Sequence, residues 1–186
     1  KIKAYEFGDM YDQNRNKAFI DKLLTHKIKV YNSKGRYVVP LNQPQSRMVK
    51  NFFETHNKYV DSVFYDASAW SVSNMYNMKS KQLKSFFRES EIRNTKNFVK
   101  YMNVNKSNYA YILDWDDYNA TAALNHLQKN EIITYSAFKP FTVKVNGTNS
   151  VKEFNYGSVL IPVSKQKISS EKLFSIIKEV QEKFEV

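Results

Sequence analysis

The stretch from Asn108 to Phe138 constrains the fold more than any other part of the chain. It opens with an almost unbroken apolar run, Tyr109 to Leu113, which is typical of a strand buried on both faces of a parallel sheet. Apolar residues then recur at helical spacing, at Ala120, Ala123, Leu124 and Leu127. A second strand is predicted from Ile132 to Tyr135. Strand, helix and strand in this order predict a βαβ unit with parallel strands and a right-handed crossover.

Three aspartates separate the first strand of this unit from its helix. They are good N-cap and first-turn residues, because a carboxylate accepts hydrogen bonds from the free amides at a helix start. In an open parallel sheet the same place is the carboxyl edge, where ligands bind. We therefore predict a ligand-binding or interface edge formed by Asp114, Trp115, Asp116 and Asp117, with Tyr156 as a further candidate.

The remaining patterns fit one α/β domain of 186 residues. Alternating residues around Asn146-Gly147 predict a β-hairpin near 141–154, and a short strand is predicted at Val63–Tyr65. Asn42 or Gln43 is expected to cap a helix that follows Pro44. Ser169 is expected to cap the last helix, whose apolar stripe runs to Phe184. The fold class predicted is a three-layer α/β sandwich with a mostly parallel central sheet and a hairpin insertion at 141–154.

The net charge of +11 raises the question of nucleic-acid binding. Residues 79–106 carry eight Lys and Arg against two Glu, with aromatic residues interleaved, and residues 71–105 are predicted to be mostly helical. Such a segment offers phosphate contacts and stacking. However, Lys outnumbers Arg by 24 to 5, and base-reading proteins favour Arg. Nucleic-acid binding is therefore the less favoured alternative. No apolar run is long enough to predict a membrane span.

Catalytic and metal-binding patterns are sparse. The three histidines, His26, His56 and His126, have neither Glu nor His at positions +3 or +4, and the chain has no Cys. The sequence therefore predicts no zinc site, no cofactor and no cysteine nucleophile in this fragment.

One alternative gives the aspartates a catalytic role. Asp114-Trp115-Asp116 after a strand resembles the Asp-x-Asp motif of haloacid dehalogenase-like phosphatases. In such an enzyme Asp114 would attack phosphorus, and Asp116 would act as acid and base beside Mg²⁺. Tyr118 departs from this motif, which has Thr or Val there.

Five segments, which together hold 61 of the 186 residues, resemble one family. They are YVVPLNQPQSRMVKNFFE (37–54), DSVFYDASAW (61–70), YILDWDDYNATAALNHL (111–127), KPF (139–141) and FNYGSVLIPVSKQ (154–166). They resemble the region after the catalytic domain of large bacterial zinc carboxypeptidase-like proteins, a class I glutamine amidotransferase-like, flavodoxin-like α/β domain.

The resemblance implies that the chain is a fragment of an exported parent, periplasmic or extracellular. That parent would trim peptides from their C-terminal end, using zinc held in its upstream domain. Because the chain starts at Lys1 without Met, it is interpreted as an excised piece. The expected role is a non-catalytic accessory domain whose partner is the upstream peptidase domain, with peptide substrate as a second candidate partner.

Overall fold

The computed structural model of the protein describes residues 1–55, 71–96, 98, 103–145 and 151–186. The chain divides into two compact units, Lys1–Phe98 and Val99–Val186. His56, the strand predicted at Val63–Tyr65 and the turn predicted at Asn146-Gly147 lie outside the described residues.

The first unit is built on a five-stranded sheet. Its elements are β1 (Ala4–Phe7), α1 (Gln13–Thr25), β2 (Val30–Ser33), β3 (Arg36–Pro40), α2 (Ser46–Phe53), α3 (Val72–Met75), β4 (Ser80–Leu83) and β5 (Glu91–Ile92). The strand order is β4-β1-β3-β2-β5, and every pairing is antiparallel. Only α3 is helical among the described residues of 71–105, so the prediction of a mostly helical region there is wrong. That polar stretch is held instead as short strands on the two edges of the sheet.

The core of the first unit lies between one sheet face and the helices. Tyr5 and Phe7 alternate inward along β1, and Tyr5 stacks on Phe53 of α2 with ring centroids 4.9 Å apart. The rings of Phe19 on α1 and Phe7 pack edge to face, with centroids 5.1 Å apart. The helix α1 begins after Asp12, whose carboxylate accepts from the Arg15 amide, as an N-cap residue should.

The second unit contains a three-stranded sheet and a separate hairpin. Its elements are β6 (Ala110–Leu113), α4 (Ala120–Lys129), β7 (Tyr135–Ser136), β8 (Phe141–Lys144), β9 (Val151–Phe154), β10 (Val159–Pro162) and α5 (Ser170–Phe184). The sheet order is β6-β10-β7, and β8 pairs with β9 as a hairpin. Every pairing is again antiparallel. As predicted, Ser169 is the N-cap of α5 and accepts from the Lys172 amide.

One face of the second sheet packs on α4 and α5. Tyr111 and Leu113 of β6 lie on this face with Val159 and Ile161 of β10, and all four are buried. The helices contribute the apolar residues Ala120, Ala123, Leu127, Leu173, Ile176, Ile177 and Val180. The unit is therefore a two-layer arrangement of helices on a sheet.

The prediction of a mostly parallel central sheet is wrong, because the described strands pair only in antiparallel fashion. The prediction of a βαβ unit is wrong for an identifiable reason. Strands β6 and β7 do run in the same direction, since both are antiparallel to β10, but β10 lies between them. The apolar run of β6 also does not require burial on both faces: Tyr111 and Leu113 point to the helices, while Ile112 on the opposite face is half-buried.

The two units have in common an arrangement of three strands and two helices. In the first, β3 lies between β1 and β2; in the second, β10 lies between β6 and β7. Each has a helix after its first strand and another after its central strand. The registers also agree: Ala4 pairs with Pro40 as Ala110 with Pro162, and Phe7 with Tyr37 as Leu113 with Val159. A β-α-β-β-α arrangement therefore occurs twice in this chain.

A glutamine makes the same three hydrogen bonds in each unit. Gln43 accepts from the Lys29 amide at 2.8 Å, and its amide group donates to the carbonyls of Lys29 and Pro40. Gln166 accepts from the Ile133 amide at 3.0 Å and donates to the carbonyls of Ile133 and Pro162. Each glutamine thereby ties the end of the central strand to the segment after the first helix.

Gln43 consequently has a structural role that differs from its predicted one. It does not cap the helix after Pro44; α2 begins after Gln45. The Gln43 side chain reaches back to the strand segment at Lys29 instead.

The hairpin β8–β9 is one difference between the units. In the first unit four residues separate Asn32 of β2 from its partner Tyr37 of β3. In the second unit 22 residues separate Ser136 of β7 from its partner Val159 of β10. The longer connection contains β8 and β9, so the hairpin near 141–154 is an insertion at one turn. No helix in the described parts of the chain is long and apolar enough to cross a bilayer.

Candidate functional site

The predicted aspartates lie in the loop between β6 and α4, and they shape that loop. The Asp114 carboxylate accepts from the Asp116 amide at 3.1 Å, and the Asp117 carboxylate accepts from the Asn119 amide at 2.7 Å. Such short-range bonds are the usual way in which Asp stabilises turns. The N-cap of α4 is Asn119, whose side-chain amide donates to the Phe184 carbonyl, so the predicted capping by the aspartates is wrong.

A turn between β9 and β10 faces this loop. In the turn Asn155 to Ser158 the Ser158 amide donates to the Asn155 carbonyl at 3.2 Å, and Gly157 has φ +85°. Because Tyr156 at the second position is not among the residues with positive φ, the positive φ at the third position identifies a type II turn, which favours glycine there. The Gly157 amide also donates to the Ala137 carbonyl, and the Ala137 amide donates to the Ser158 carbonyl, both at 2.9 Å. Two residues thus oppose one, and the strand ends in a bulge that fixes the turn.

Three contacts fasten the loop to the strand and turn. The Asn155 amide group donates to the Asp116 carboxylate at 2.5 Å, and Lys152 on β9 forms an ion pair with Asp114 at 2.8 Å. The indole of Trp115 lies against Gly157, where an added Cβ would sit 2.7 Å from Cδ1. We refer to residues 114–118 and 152–158 together as the loop–turn cluster.

Tyr156 occupies the second position of the turn, and 65% of it is exposed. Phe138 follows Ala137, the residue that bonds to the bulge, and is 88% exposed. Trp115, by contrast, is half-buried against Gly157. Of the five predicted site residues, the loop–turn cluster brings together Asp114, Trp115 and Asp116 with the turn that carries Tyr156, while Asp117 bonds within its own loop.

Two carboxylates of the cluster, those of Asp114 and Asp116, contact neighbouring side chains. Asp114 has 27% of its side chain exposed and is paired with Lys152, which is 52% exposed. Within the described ranges no three His, Cys, Asp or Glu side chains group closely enough to hold a metal ion. The arrangement therefore favours fixing of the loop over nucleophilic attack, which needs an accessible carboxylate.

The positive charge belongs mainly to the first unit. Residues 1–98 contain 18 Lys and Arg against nine Asp and Glu, a net charge of +9; residues 99–186 contain 11 against nine, a net charge of +2. The cations in and on either side of β4 are exposed, namely Lys79, Lys81, Lys84 and Arg88, and Phe87 is 58% exposed. Phe98 instead stacks on Tyr37, with centroids 5.7 Å apart, so it is a packing residue.

A groove of about 370 Å³ in the second unit contains none of the predicted site residues. It lies between residues 103–106 and α5, and Phe174, Lys178, Gln181 and Glu182 line the helix side. Lys106 pairs with Glu171 at 2.6 Å, and this hydrogen bond holds the pKa of Glu171 below its usual range. The Gln181 side chain accepts from the Val104 amide. These polar contacts attach the segment to the helix.

The sequence reasoning missed Lys152, Asn155 and Gly157 as partners of the aspartates. The tetrapeptide Asn155-Tyr156-Gly157-Ser158 carries a recognisable turn signal, because glycine at the third position predicts a type II turn. It could have shown that Tyr156 lies at a turn, but not which loop the turn contacts.

No family model, curated protein or solved structure matches the chain.

Proposed function

We propose that this chain is a non-catalytic accessory domain of a secreted zinc carboxypeptidase-like protein. In this proposal it packs against the upstream peptidase domain, which holds the zinc. The resemblance of the five segments to that family supports the proposal. Two of those segments, 111–127 and 154–166, contain most of the loop–turn cluster, which we take as the contact surface.

The observation that carries the proposal is the fixed presentation of Tyr156. The side chain is 65% exposed, while its backbone is held by the type II turn and the Asn155–Asp116 hydrogen bond. A backbone that is already fixed has less entropy to lose on binding, and tyrosine is enriched among the hot spots of protein interfaces. Phe138 offers a second exposed ring beside the same bulge.

The phosphatase alternative is less well supported by the same geometry. Asp114 would have to leave its ion pair with Lys152 before it could attack a phosphorus atom. Asp116 would similarly have to give up the hydrogen bond from Asn155 to act as acid and base. Magnesium-dependent turnover that disappears in Asp114→Asn would contradict the accessory-domain proposal.

The decisive experiment has two stages. The full reading frame should first reveal a zinc-peptidase signature upstream of Lys1; without one, the family assignment fails. The upstream domain is then expressed separately, and its affinity for this chain is measured by calorimetry. Tyr156→Ala should weaken binding by roughly 30-fold or more, as expected for an interface hot spot of about 2 kcal/mol.

The matched control is Tyr109→Ala, because Tyr109 is also a highly exposed tyrosine of the second unit, at 86%, but precedes β6. It should leave the affinity within about twofold, as most exposed residues outside a hot spot do. Equal effects of the two substitutions would remove the loop–turn cluster as the contact surface.

Nucleic-acid binding is the second candidate function, because +9 of the net charge belongs to residues 1–98. Exposed lysines with an exposed Phe87 offer phosphate contacts and one stacking surface. Binding of a labelled single-stranded oligonucleotide should be measured at 50 and 200 mM salt. A true interface with six phosphate contacts would lose about 10³ in affinity across that range. We expect no saturable binding at the higher salt.

A further inference from the structure

The outer edge of β2 in the first unit is covered by an added segment. The Asn32 amide donates to the Ser90 carbonyl at 2.9 Å, and the Asn32 carbonyl accepts from the Glu89 amide at 2.8 Å. The segment continues as β5, where Val30 pairs with Ile92 and Tyr31 with Glu91. The guanidinium of Arg88 lies over the Tyr31 ring, 5.3 Å from its centroid.

The equivalent edge in the second unit is β7. Tyr31 pairs with Val38 of the central strand as Tyr135 pairs with Leu160, and Asn32 pairs with Tyr37 as Ser136 pairs with Val159. Ser136 is therefore the counterpart of Asn32, and Tyr135 is the counterpart of Tyr31.

The backbone N–H and C=O of Ser136 point away from the central strand β10. Because Ala137 donates to the Ser158 carbonyl, antiparallel geometry turns the N–H and C=O of the preceding residue outward. Among the residues that the structure describes, no backbone group bonds to Ser136 on that side, and both residues of β7 are exposed.

The sheet face beside this edge is also less covered than its counterpart. Val38 in the first unit is fully buried, whereas Leu160 at the equivalent position is only half-buried. Tyr135 is 51% exposed, while Tyr31, with Arg88 over its ring, is half-buried. Within the part of the chain that the structure describes, the second unit thus has the same edge and the same tyrosine without the added strand and the arginine.

We propose that β7 is a strand-addition site for an extended peptide segment that places an arginine over Tyr135. The added segment would bond to the outward N–H and C=O of Ser136, as residues 89–90 bond to Asn32. Main-chain hydrogen bonds supply affinity in this mode of recognition, and the side chains supply selectivity. The partner is an extended, arginine-bearing segment of another protein, and its identity does not depend on the loop–turn cluster.

The test uses the whole chain and a peptide with the sequence of residues 86–93, FFRESEIR, which carries Arg88 and β5. Two-dimensional amide NMR should show saturable shifts at Tyr135, Ser136 and Ala137, with slowed hydrogen exchange at Ser136. A peptide with Ala in place of the Arg88 equivalent should bind about two- to fivefold more weakly, the loss of one exposed cation–π contact.

Two variants of the chain separate the contributions. Tyr135→Ala should weaken the arginine peptide by that same factor and leave the alanine peptide unaffected. Ser136→Pro removes the outward donor without removing a bond to β10, and it should abolish binding. Tyr109→Ala is the matched control and should change nothing.

Shifts confined to Val30–Asn32 would mean that the peptide only replaces β5, and the proposal would fall. The same holds if no saturable shift occurs at β7 up to about 1 mM peptide, the weak limit of specific recognition. Unchanged affinity in both Tyr135→Ala and Ser136→Pro would also refute it.

Discussion

Replacing Gly157 by alanine tests the structural basis of the loop–turn cluster. Gly157 has φ +85°, a conformation that costs a residue with a Cβ about 1–2 kcal/mol. Its Cβ would also lie 2.7 Å from Cδ1 and 3.1 Å from Cγ of Trp115. Ordinary carbon contacts are about 3.5–4.0 Å long, so the indole or the turn must move by about 1 Å. Overpacking of this kind costs about 1–3 kcal/mol. The total expected loss of unfolding free energy is therefore about 2–5 kcal/mol.

Gly35→Ala is the matched control for this substitution. Gly35 has φ +78°, but an added Cβ would meet no heavy atom within 4 Å. It should show only the conformational cost of about 1–2 kcal/mol.

Urea unfolding followed by far-ultraviolet circular dichroism provides the measurement, because this signal remains when Trp115 is replaced. In the double variant Gly157→Ala, Trp115→Ala the steric part should disappear, giving a coupling energy of about 1–3 kcal/mol. If Gly157→Ala costs no more than Gly35→Ala, Trp115 does not lie against the turn and the reasoning fails.

Gln166→Ala should lower the free energy of unfolding by about 2–4 kcal/mol, because three hydrogen bonds are lost. Gln43→Ala should lower it by less, since its partner Lys29 is exposed, and urea unfolding compares the two variants. Tyr5→Phe should leave the unfolding free energy equal or higher, because the buried Tyr5 hydroxyl has no hydrogen-bond partner among the described residues. Burial, and secondarily the charge of Glu54, raises the pKa of Tyr5 above 10.0. The stability that the neutral hydroxyl contributes is therefore complete below pH 10 and is lost as the pH rises through the folded-state pKa. Tyr5→Phe should flatten this alkaline loss of stability in a pH series of melting curves. The dialysed protein should contain far less than one zinc per chain by metal analysis, and stoichiometric zinc held by protein ligands would overturn the accessory-domain proposal.

Patterns carried by neighbouring residues could be read from the sequence. Ser169 caps α5 because its hydroxyl reaches the Lys172 amide three residues on, and such a bond needs no knowledge of the rest of the fold. The positions of α4 and α5 follow similarly from their apolar stripes.

Pairing between distant strands could not be read in this way. The position of β10 between β6 and β7 depends on residues 159–162, more than 20 positions beyond β7, and nothing in the β6–α4–β7 pattern specifies it. The pairing of Asp116 with Asn155 depends on the same long-range arrangement. Side-chain periodicity reports which face is buried, and not which strand lies alongside.

The position of the central strand has a consequence for synthesis on the ribosome. In each unit the first two strands have no sheet partner in common until the third has been made. For the second unit, β6 and β7 can be joined only after residues 159–162 have left the exit tunnel. At 5–20 residues per second, roughly 2–10 s separate the synthesis of β6 from that of β10. During that interval the nascent chain exposes the apolar face of α4, which makes it a natural target for chaperones.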